Sequence, residues 1–298
     1  MPKISEETLK NWIKPPSDTE ETKLSNAERM VREAITEDEK LGKKSTETFG
    51  QGSYANNTNV KIDSDIDINV RYTGGFYFDL PKDTEEEDVG LDKLSGSKYT
   101  YSKFKDHVER ALVNKFGKSE VIRNDKCITI IGNSYRVETD VVPTWNHRQY
   151  YKNGNYVLGA QFKTDNGKWI LNYPKQHLEN GIDKNNNTYR RFKRLTRIHK
   201  RLRNKMIQDG IDIDDCIKSF LIESLVWNVP NKIFNDYDTW DERLKQSIIY
   251  LYEKTKNRDD CKEWGEVSEL LYLFHSSKKW SRSNVNEYLV QAWSYLEY

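Results

Sequence analysis

Cysteine and long apolar runs are scarce in this sequence of 298 residues. The three cysteines, Cys127, Cys216 and Cys261, are odd in number and widely separated, which excludes a disulfide framework and a cysteine-based zinc site. No run approaches the roughly 18–20 consecutive apolar residues of a membrane helix, and the N-terminal MPKISEETLKNW has no apolar signal core. We therefore expect a cytoplasmic protein with no membrane partner.

An excess of either charge is also missing, because 48 lysines and arginines nearly balance 47 aspartates and glutamates, for a net charge of +1. No global field draws such a chain onto nucleic acid or anionic lipid, so any phosphate-binding charge must be local. The sequence does contain 36% apolar, 12% aromatic and 32% charged residues. This composition supports the core of a globular protein with one large domain or two lobes.

Helical periodicity frames both ends of the chain. The segment NAERMVREAITEDEKL predicts an amphipathic helix with Ser25 or Asn26 as its cap, and a second helix is predicted before Gly117. Beyond about residue 185 almost every pattern is helical, including RRFKRLTRIHKRLRNKM, CIKSFLIESLVWNV and SNVNEYLVQAWSYL. The basic helix has one apolar stripe, formed by Phe192, Leu195, Ile198, Leu202 and Met206.

Between these helices, apolar residues recur with period two. In SDIDINV, isoleucine and valine alternate with Asp65, Asp67 and Asn69, which predicts a strand with one apolar and one polar face. Residues 74 to 98 carry glycines, a proline and an acidic run, which predict a long surface loop.

The polar face of this strand carries two carboxylates, Asp65 and Asp67. Asp63 with Asp65 is a rival pair, but Asp65 with Asp67 is preferred because Ile66 then continues the apolar alternation. A solvated strand face is the alternative interpretation, since exposed carboxylates are common. Carboxylates held so close repel each other, and a bound divalent cation is the usual remedy, which favours a metal site.

A second pair of β-rich runs, CITIIGNSYRVETDVVP, brings a third carboxylate. Gly132-Asn133 between the runs suits a tight hairpin turn. The run that ends in Asp140 can pair beside the first strand and place this carboxylate near Asp65 and Asp67. Three such oxygen ligands suit Mg²⁺, and two Mg²⁺ ions can clamp the attacking and leaving oxygens of a phosphoryl displacement.

The Gly52-Ser53 turn precedes the aspartate pair. Glycine lets the backbone come close to a phosphate, and the serine hydroxyl adds a hydrogen-bond donor. A Gly-Ser turn followed by Asp-x-Asp on the next strand resembles the polymerase-β-like nucleotidyltransferase superfamily. More narrowly, the sequence resembles the bacterial cGAS/DncV-like nucleotidyltransferases of anti-phage CBASS systems. The segments that carry this resemblance, in order, are GQGSYANNT, SDIDINV, VETDVVP, WILNYPKQHLENG, RRFKRLTRIHKRLRN and SFLIESLVWNVP.

The resemblance covers most of residues 45 to 230 and implies an α/β (α+β) fold. A nucleotidyltransferase lobe with a mixed sheet would span residues 1–165 and a helical lobe residues 166–298, with the active site in the cleft. The resemblance implies that Asp65, Asp67 and Asp140 are catalytic and would bind two Mg²⁺ ions, for which Mn²⁺ can substitute.

The resemblance also implies a set of nucleotide-binding residues. Gln51, Gly52 and Ser53 would bind the donor triphosphate, and Lys200 and Ser219 match a lysine and a hydroxyl that contact its β- and γ-phosphates. The alternatives are that the charges of the Lys200 helix form a solvated face and that Ser219 caps or back-bonds within its own helix.

The activity implied by the family is the condensation of two or three nucleoside triphosphates, UTP, ATP or GTP, into a cyclic oligonucleotide. Pyrophosphate is released, and the product acts on a downstream effector. Eukaryotic members of the wider family respond to nucleic acid through basic surfaces and often an inserted zinc element. This chain has neither, so we expect it to work without DNA or RNA. We also expect a monomer.

Asn172 is the candidate for base selection. An asparagine at this point favours uracil in some bacterial relatives, because an amide offers both a donor and an acceptor to the uracil edge. The competing interpretation is that Asn172 shapes the turn before Pro174. For the whole chain, the alternatives are an RNA-tailing or protein-modifying nucleotidyltransferase and a non-catalytic nucleotide-binding or antitoxin-like protein. The complete carboxylate set argues against the non-catalytic alternative.

Overall fold

The computed structural model describes residues 3–15, 17–60 and 66–298. The chain divides into two compact units, each assembled from separate stretches of sequence. The sheet unit comprises Ser17–Gly52 and Ile62–Pro174, and the helical unit comprises Met1–Pro16, Ser53–Lys61 and Lys175–Tyr298. The domain limits 1–165 and 166–298 stay a prediction.

Helices and strands follow the predicted order of helix, strand-rich middle and helices. The helices are α1 (Glu6–Trp12), α2 (Asp18–Glu37), α3 (Gly52–Ala55), α4 (Tyr101–Phe116), α5 (Pro174–Asn187), α6 (Arg191–Gln208), α7 (Ser219–Trp227), α8 (Asn231–Asn235), α9 (Trp240–Thr255) and α10 (Arg282–Leu296). The strands are β1 (Thr46–Gln51), β2 (Ile66–Asp79), β3 (Val121–Arg123), β4 (Ile128–Ile130), β5 (Thr139–Tyr150), β6 (Tyr156–Lys163) and β7 (Trp169–Asn172).

Among the described residues, seven strands form one mixed sheet in the order β1-β2-β5-β4-β3, with β6 beside the second half of β5 and β7 beside β6. β2 and β5 are parallel, and the other neighbours are antiparallel. The predicted pairing of the Asp140 run beside the first strand is therefore confirmed.

One face of the sheet is covered by α2 and α4. The period-two pattern is confirmed, because Ile66, Ile68 and Val70 are fully buried. Phe104 of α4 packs against aromatic residues of both central strands, with its ring centroid 5.7 Å from that of Tyr72 on β2 and 6.1 Å from that of Trp145 on β5. Burial of each large apolar side chain contributes about 1.5–3 kcal/mol, so this face fixes which side of β2 points away from the core.

Two predicted boundaries are wrong because local signals were overridden. α2 begins at Asp18, and Ser17 is its N-cap, with its backbone N–H donating to Glu20 Oε2 at 2.7 Å; the cap is therefore neither Ser25 nor Asn26. The predicted loop from residue 74 is a strand as far as Asp79, because β2 continues through a register shift between Tyr72 and Phe76 that takes up its glycines.

The predicted tight turn at Gly132-Asn133 is also wrong. β4 and β5 do pair antiparallel, but residues 131–138 connect them. Within this connection Asn133 Oδ1 accepts hydrogen bonds from the backbone N–H groups of Tyr135 and Arg136, at 2.8 and 3.0 Å. Asn133 therefore organises a wider loop through its side chain.

The helical unit packs around α6. All five residues of its predicted apolar stripe are fully buried, against apolar residues of α7, α9 and α10. His199 is buried on the same helix, with Nε2 2.8 Å from Ser247 Oγ. Because the Ser247 hydroxyl donates to the Leu244 carbonyl, Nε2 must donate to Ser247. Across the described ranges, no helix has the length and apolar character needed to cross a bilayer.

Burial lowers the pKa of His199 from 6.5 to about 4, and this predicts a pH-dependent stability. Between these values the unfolded chain binds a proton that the folded chain does not, so stabilisation present above pH 6.5 is lost as the pH falls to about 4. The loss is on the order of 3 kcal/mol. His199→Gln keeps a donor for Ser247 and should remove this component, as measured by urea unfolding from pH 7.5 to 4.5.

His275→Gln, at an exposed position, is the matched control and should keep the wild-type dependence on pH. A His199→Gln variant that loses as much stability as the wild type over this range would contradict the assignment.

Candidate active site

Two aspartates lie side by side on the face of the sheet opposite α2 and α4. Asp67 on β2 and Asp140 on β5 are register partners in parallel strands, so their side chains leave the same face about 4.8 Å apart. Gln51 on β1 is the partner of Asp67 on its other side, and Thr129 on β4 is the partner of Asp140. Four strands thus present one continuous polar row.

Thr129 fixes the orientation of Asp140. Its hydroxyl donates to Asp140 Oδ1 at 2.5 Å and accepts from Asn124 Nδ2 at 2.8 Å. The nearby Cys127 does not supply a thiolate, because burial and the negative charge of Asp140 raise the pKa of its thiol to about 11. The chemistry available at this end of the row is that of oxygen ligands.

A buried chain of hydrogen bonds sets the orientation of Gln51. Asn69 and Thr144 are each 1% exposed on the same polar face. Thr144 Oγ1 donates to Asn69 Oδ1 at 2.6 Å, and Asn69 Nδ2 donates to Gln51 Oε1 at 3.0 Å. Because the Gln51 carbonyl accepts within the protein, its amide N–H groups are what it can offer to a ligand.

Gly52 follows Gln51 in a backbone conformation that other residues rarely adopt, with φ at +65°. A Cβ at this position would lie 2.4 Å from Asp67 Oδ2. The main chain therefore passes directly against the carboxylate, and only glycine permits this approach. Ser53 comes next and accepts a hydrogen bond at its carbonyl from Thr58 N–H, at 2.9 Å.

Asn172 is exposed near the end of β7. It pairs with Ala160 of β6, which in turn pairs with Asn146 of β5. Since Asn146 lies six residues after Asp140 on one strand, Asn172 is on the same sheet face as Asp140. The two residues are separated by about 20 Å along the strand direction and two strand spacings across it.

Lys200 and Ser219 belong to the helical unit. Lys200 is 1% exposed, and its ammonium donates to Glu223 Oε2 at 2.6 Å and to Thr58 Oγ1 at 2.9 Å. Ser219 is the first residue of α7, where Oγ accepts from Arg203 Nη2 at 3.3 Å. Their contact with nucleotide phosphates stays a prediction, and Lys200 would have to leave Glu223 to make it.

Asp65 of the preferred pair, and Asp63, which with Asp65 formed the rival pair, lie outside the described residues. Within residues 3–15, 17–60 and 66–298, no group of three His, Cys, Asp or Glu side chains is arranged to hold a metal ion. The sheet row thus contributes two carboxylates, Asp67 and Asp140.

Sequence reasoning missed several residues that support the site. Thr129 and Thr144 gave no signal, because a threonine in a β-rich run is ordinary. Glu223 did give one: it is a single acid within the apolar SFLIESLVW, and glutamate is almost never fully buried unless it is paired.

The hydrogen-bond chain beneath Gln51 predicts strong coupling between Asn69 and Thr144. Thr144→Val leaves the buried Asn69 carbonyl without its donor and should lower the free energy of unfolding by about 1–3 kcal/mol. The Asn69→Leu, Thr144→Val double variant should lose less than the sum of the single losses, by about 1 kcal/mol or more. Urea unfolding of the four proteins measures this coupling, and additive losses would show that the bond is not formed.

Two family models match this sequence. The sequence model of the second messenger oligonucleotide or dinucleotide synthetase domain matches residues 5–185. The model of the cGAS/DncV-like nucleotidyltransferase C-terminal helical domain matches residues 179–297.

Individual relatives match along the whole chain. A cyclic dipyrimidine nucleotide synthase CdnE from Cecembia lonarensis is 67% identical over 298 residues, which is 100% of both chains. A synthase of the same name from Legionella pneumophila is 42% identical over 294 residues, or 98% of each. The solved structure of Elizabethkingia meningoseptica CdnE cyclic dinucleotide synthase with GTP and Apcpp has a TM-score of 0.82 at 34% identity, covering 99% of this chain and 100% of that one.

These matches confirm the predicted family, the α/β fold with its helical C-terminal domain, and the class of enzyme. The chain is a nucleotidyltransferase and belongs to the cGAS/DncV-like family.

Proposed function

We propose that this enzyme joins two pyrimidine nucleoside triphosphates, with UTP preferred, into a cyclic dinucleotide. The observation that carries the proposal is the register pair of Asp67 and Asp140 beside Gly52, in a chain 67% identical to a cyclic dipyrimidine nucleotide synthase. Each condensation forms one phosphodiester bond and releases one pyrophosphate. The second condensation closes the ring.

The carboxylate oxygens of the site suit a divalent cation. Asp67 and Asp140 are like charges at neighbouring register positions, an arrangement that a cation between them stabilises. Asp65, two residues before Asp67 in the sequence, is proposed as a further ligand. Bound Mg²⁺, with Mn²⁺ as a substitute, would polarise the α-phosphate and favour the alkoxide of the attacking ribose hydroxyl.

The protein's own residues hold and orient the substrates. Gly52 lets the main chain approach a phosphate, and the Gln51 amide and the Ser53 and Ser219 hydroxyls donate to the donor triphosphate. Because Thr129 already engages Oδ1 of Asp140, we assign Oδ2 to the acceptor side, near the hydroxyl that loses its proton. The oxygen of this ribose hydroxyl attacks the α-phosphorus in line as the bond to pyrophosphate breaks.

The biological role follows from the family, whose members in CBASS systems produce nucleotide signals for anti-phage defence. We propose that the product acts on a separate effector and that the enzyme works as a monomer without a nucleic-acid activator. The balanced charge of the chain supports the last point, since duplex recognition needs many local cations.

Replacing the paired carboxylates should abolish synthesis while the fold is kept. Asp67→Asn and Asp140→Asn each remove one charged oxygen ligand and leave the apolar face of the sheet unchanged, so we expect activity to fall by about 100-fold or more. The measurement is chromatography of products from labelled nucleoside triphosphates with Mg²⁺ and no nucleic acid, together with pyrophosphate release.

Asp79→Asn, at the other end of β2 with an exposed carboxylate, is the matched control and should keep wild-type activity. Near-normal synthesis by Asp67→Asn would contradict the assignment. Label on RNA or protein would indicate a tailing or protein-modifying transferase, and nucleotide binding without pyrophosphate release would indicate a non-catalytic protein.

The proposed role of Asn172 in base selection can be tested separately. With all four nucleotides supplied, labelled UTP should enter the cyclic product. Asn172→Ser replaces an amide donor and acceptor by a hydroxyl and should shift incorporation towards ATP or GTP by about 10-fold while turnover continues. Absence of labelled UTP from the wild-type product, or an unchanged base ratio in the variant, would refute this role.

A further inference from the structure

A buried charged cluster lies in the helical unit, around Thr58. Lys200 and Glu223 are 1% and 4% exposed and form an ion pair of 2.6 Å. Thr58 Oγ1 donates to Glu223 Oε2 at 2.6 Å and accepts from Lys200 Nζ at 2.9 Å. His177 Nε2 lies 3.1 Å from the other carboxylate oxygen of Glu223. Each polar group of the cluster therefore has a partner.

Stability alone does not account for this cluster. Removing two charges from water is costly, and a well-packed apolar replacement of a buried ion pair is often equally stable. Lys200 and His177 hold the pKa of Glu223 below its ordinary value in spite of burial, so this carboxylate stays charged at neutral pH. What the ion pair provides is a fixed set of donors and acceptors for Thr58.

Arg197, one turn before Lys200 on α6, holds the neighbouring residue. It is nearly buried, its Nη1 donates to the Asn57 carbonyl at 2.5 Å, and its Nε donates to the Ile13 carbonyl at 2.7 Å. Lys200 Nζ also lies 3.3 Å from the Thr58 carbonyl. Two consecutive carbonyls thus accept from cations of one helix. Asn57 itself has φ at +50°, in the left-handed region that asparagine adopts more readily than most residues other than glycine.

These contacts reach Ser53 through the backbone. Thr58 N–H donates to the Ser53 carbonyl at 2.9 Å, and Asn57 N–H donates to the Tyr54 carbonyl at 3.0 Å. Residues 53–60, named here the 53–60 segment, therefore form a short closed loop. The residues that fix Asn57 and Thr58 also fix the main chain at Ser53.

We propose that Thr58, Glu223, Lys200 and Arg197 are positioning residues that hold the 53–60 segment so that Ser53 is presented to the donor triphosphate. This inference rests on the proposed function, in which Ser53 binds phosphate. It gives Lys200 a role through Thr58, distinct from direct contact with the phosphates. Loss of the Thr58 hydroxyl should then weaken donor binding although Thr58 touches no substrate.

The test compares Thr58→Val with Thr58→Ser. Valine keeps the shape and removes the hydroxyl, whereas serine keeps the hydroxyl. Thr58→Val should raise the KM for UTP about 10-fold or more, with a smaller change in kcat, and should accelerate amide hydrogen exchange in the 53–60 segment. Thr58→Ser should stay close to the wild type in both. If Thr58→Val fails to fold, Arg197→Lys is the second variant. Lysine cannot bridge the Ile13 and Asn57 carbonyls, so it should also raise the KM for UTP and accelerate exchange in the 53–60 segment.

His199→Gln is the matched control, because His199 is buried beside Lys200 on α6 and bonds to Ser247. At pH 7.5 it should leave both KM and exchange in the 53–60 segment unchanged. If a folded Thr58→Val or Arg197→Lys variant shows an unchanged KM and unchanged hydrogen exchange, the proposal is overturned. If Lys200→Met raises the KM while the Thr58 and Arg197 variants do not, Lys200 contacts the phosphates directly. Hydrogen exchange is measured without nucleotide and does not depend on activity. If the wild type makes no cyclic product, the proposed function is refuted, and the exchange comparison still tests whether these residues hold the 53–60 segment.

Discussion

The parallel pairing of β2 with β5 is the constraint on which the site depends. Its register places Asp67 beside Asp140 on one face and Ile68 beside Val141 on the other. The apolar residues are buried on the face covered by α2 and α4, so a slip of one residue would expose them and bury the carboxylates. Packing on one face of the sheet therefore fixes the distance between the two charges on the other face.

A layer of neutral polar residues supports the charged row. Thr129 orients Asp140, while Asn69 and Thr144 orient Gln51, and these partners lie on strands. Groups held by strands and by satisfied hydrogen bonds keep their geometry better than groups on free loops. In the helical unit, Lys200 and Glu223 orient Thr58 in the same way, through hydrogen bonds to its hydroxyl.

The sequence was sufficient for features that depend on local periodicity. The alternation around Asp67 predicted both strand faces, and the apolar stripe of α6 predicted its buried side. The sequence was not sufficient for features that depend on residues far apart in the chain. The glycines after Tyr72 indicated a loop, yet pairing with β5 extends the strand to Asp79. The phosphate contact predicted for Lys200 by resemblance stays a prediction, and its ion pair with Glu223 joins two helices, which no periodicity reveals.

The central claim is that Asp67 and Asp140 together hold the cation that activates the donor nucleotide. It is tested most directly by a crystal structure of the enzyme with Mn²⁺ and a non-hydrolysable UTP analogue, with anomalous scattering used to locate the metal. We expect a manganese peak bonded to carboxylate oxygens of both aspartates and to the triphosphate. A nucleotide bound with its manganese on other residues, and with neither aspartate as a ligand, would contradict it.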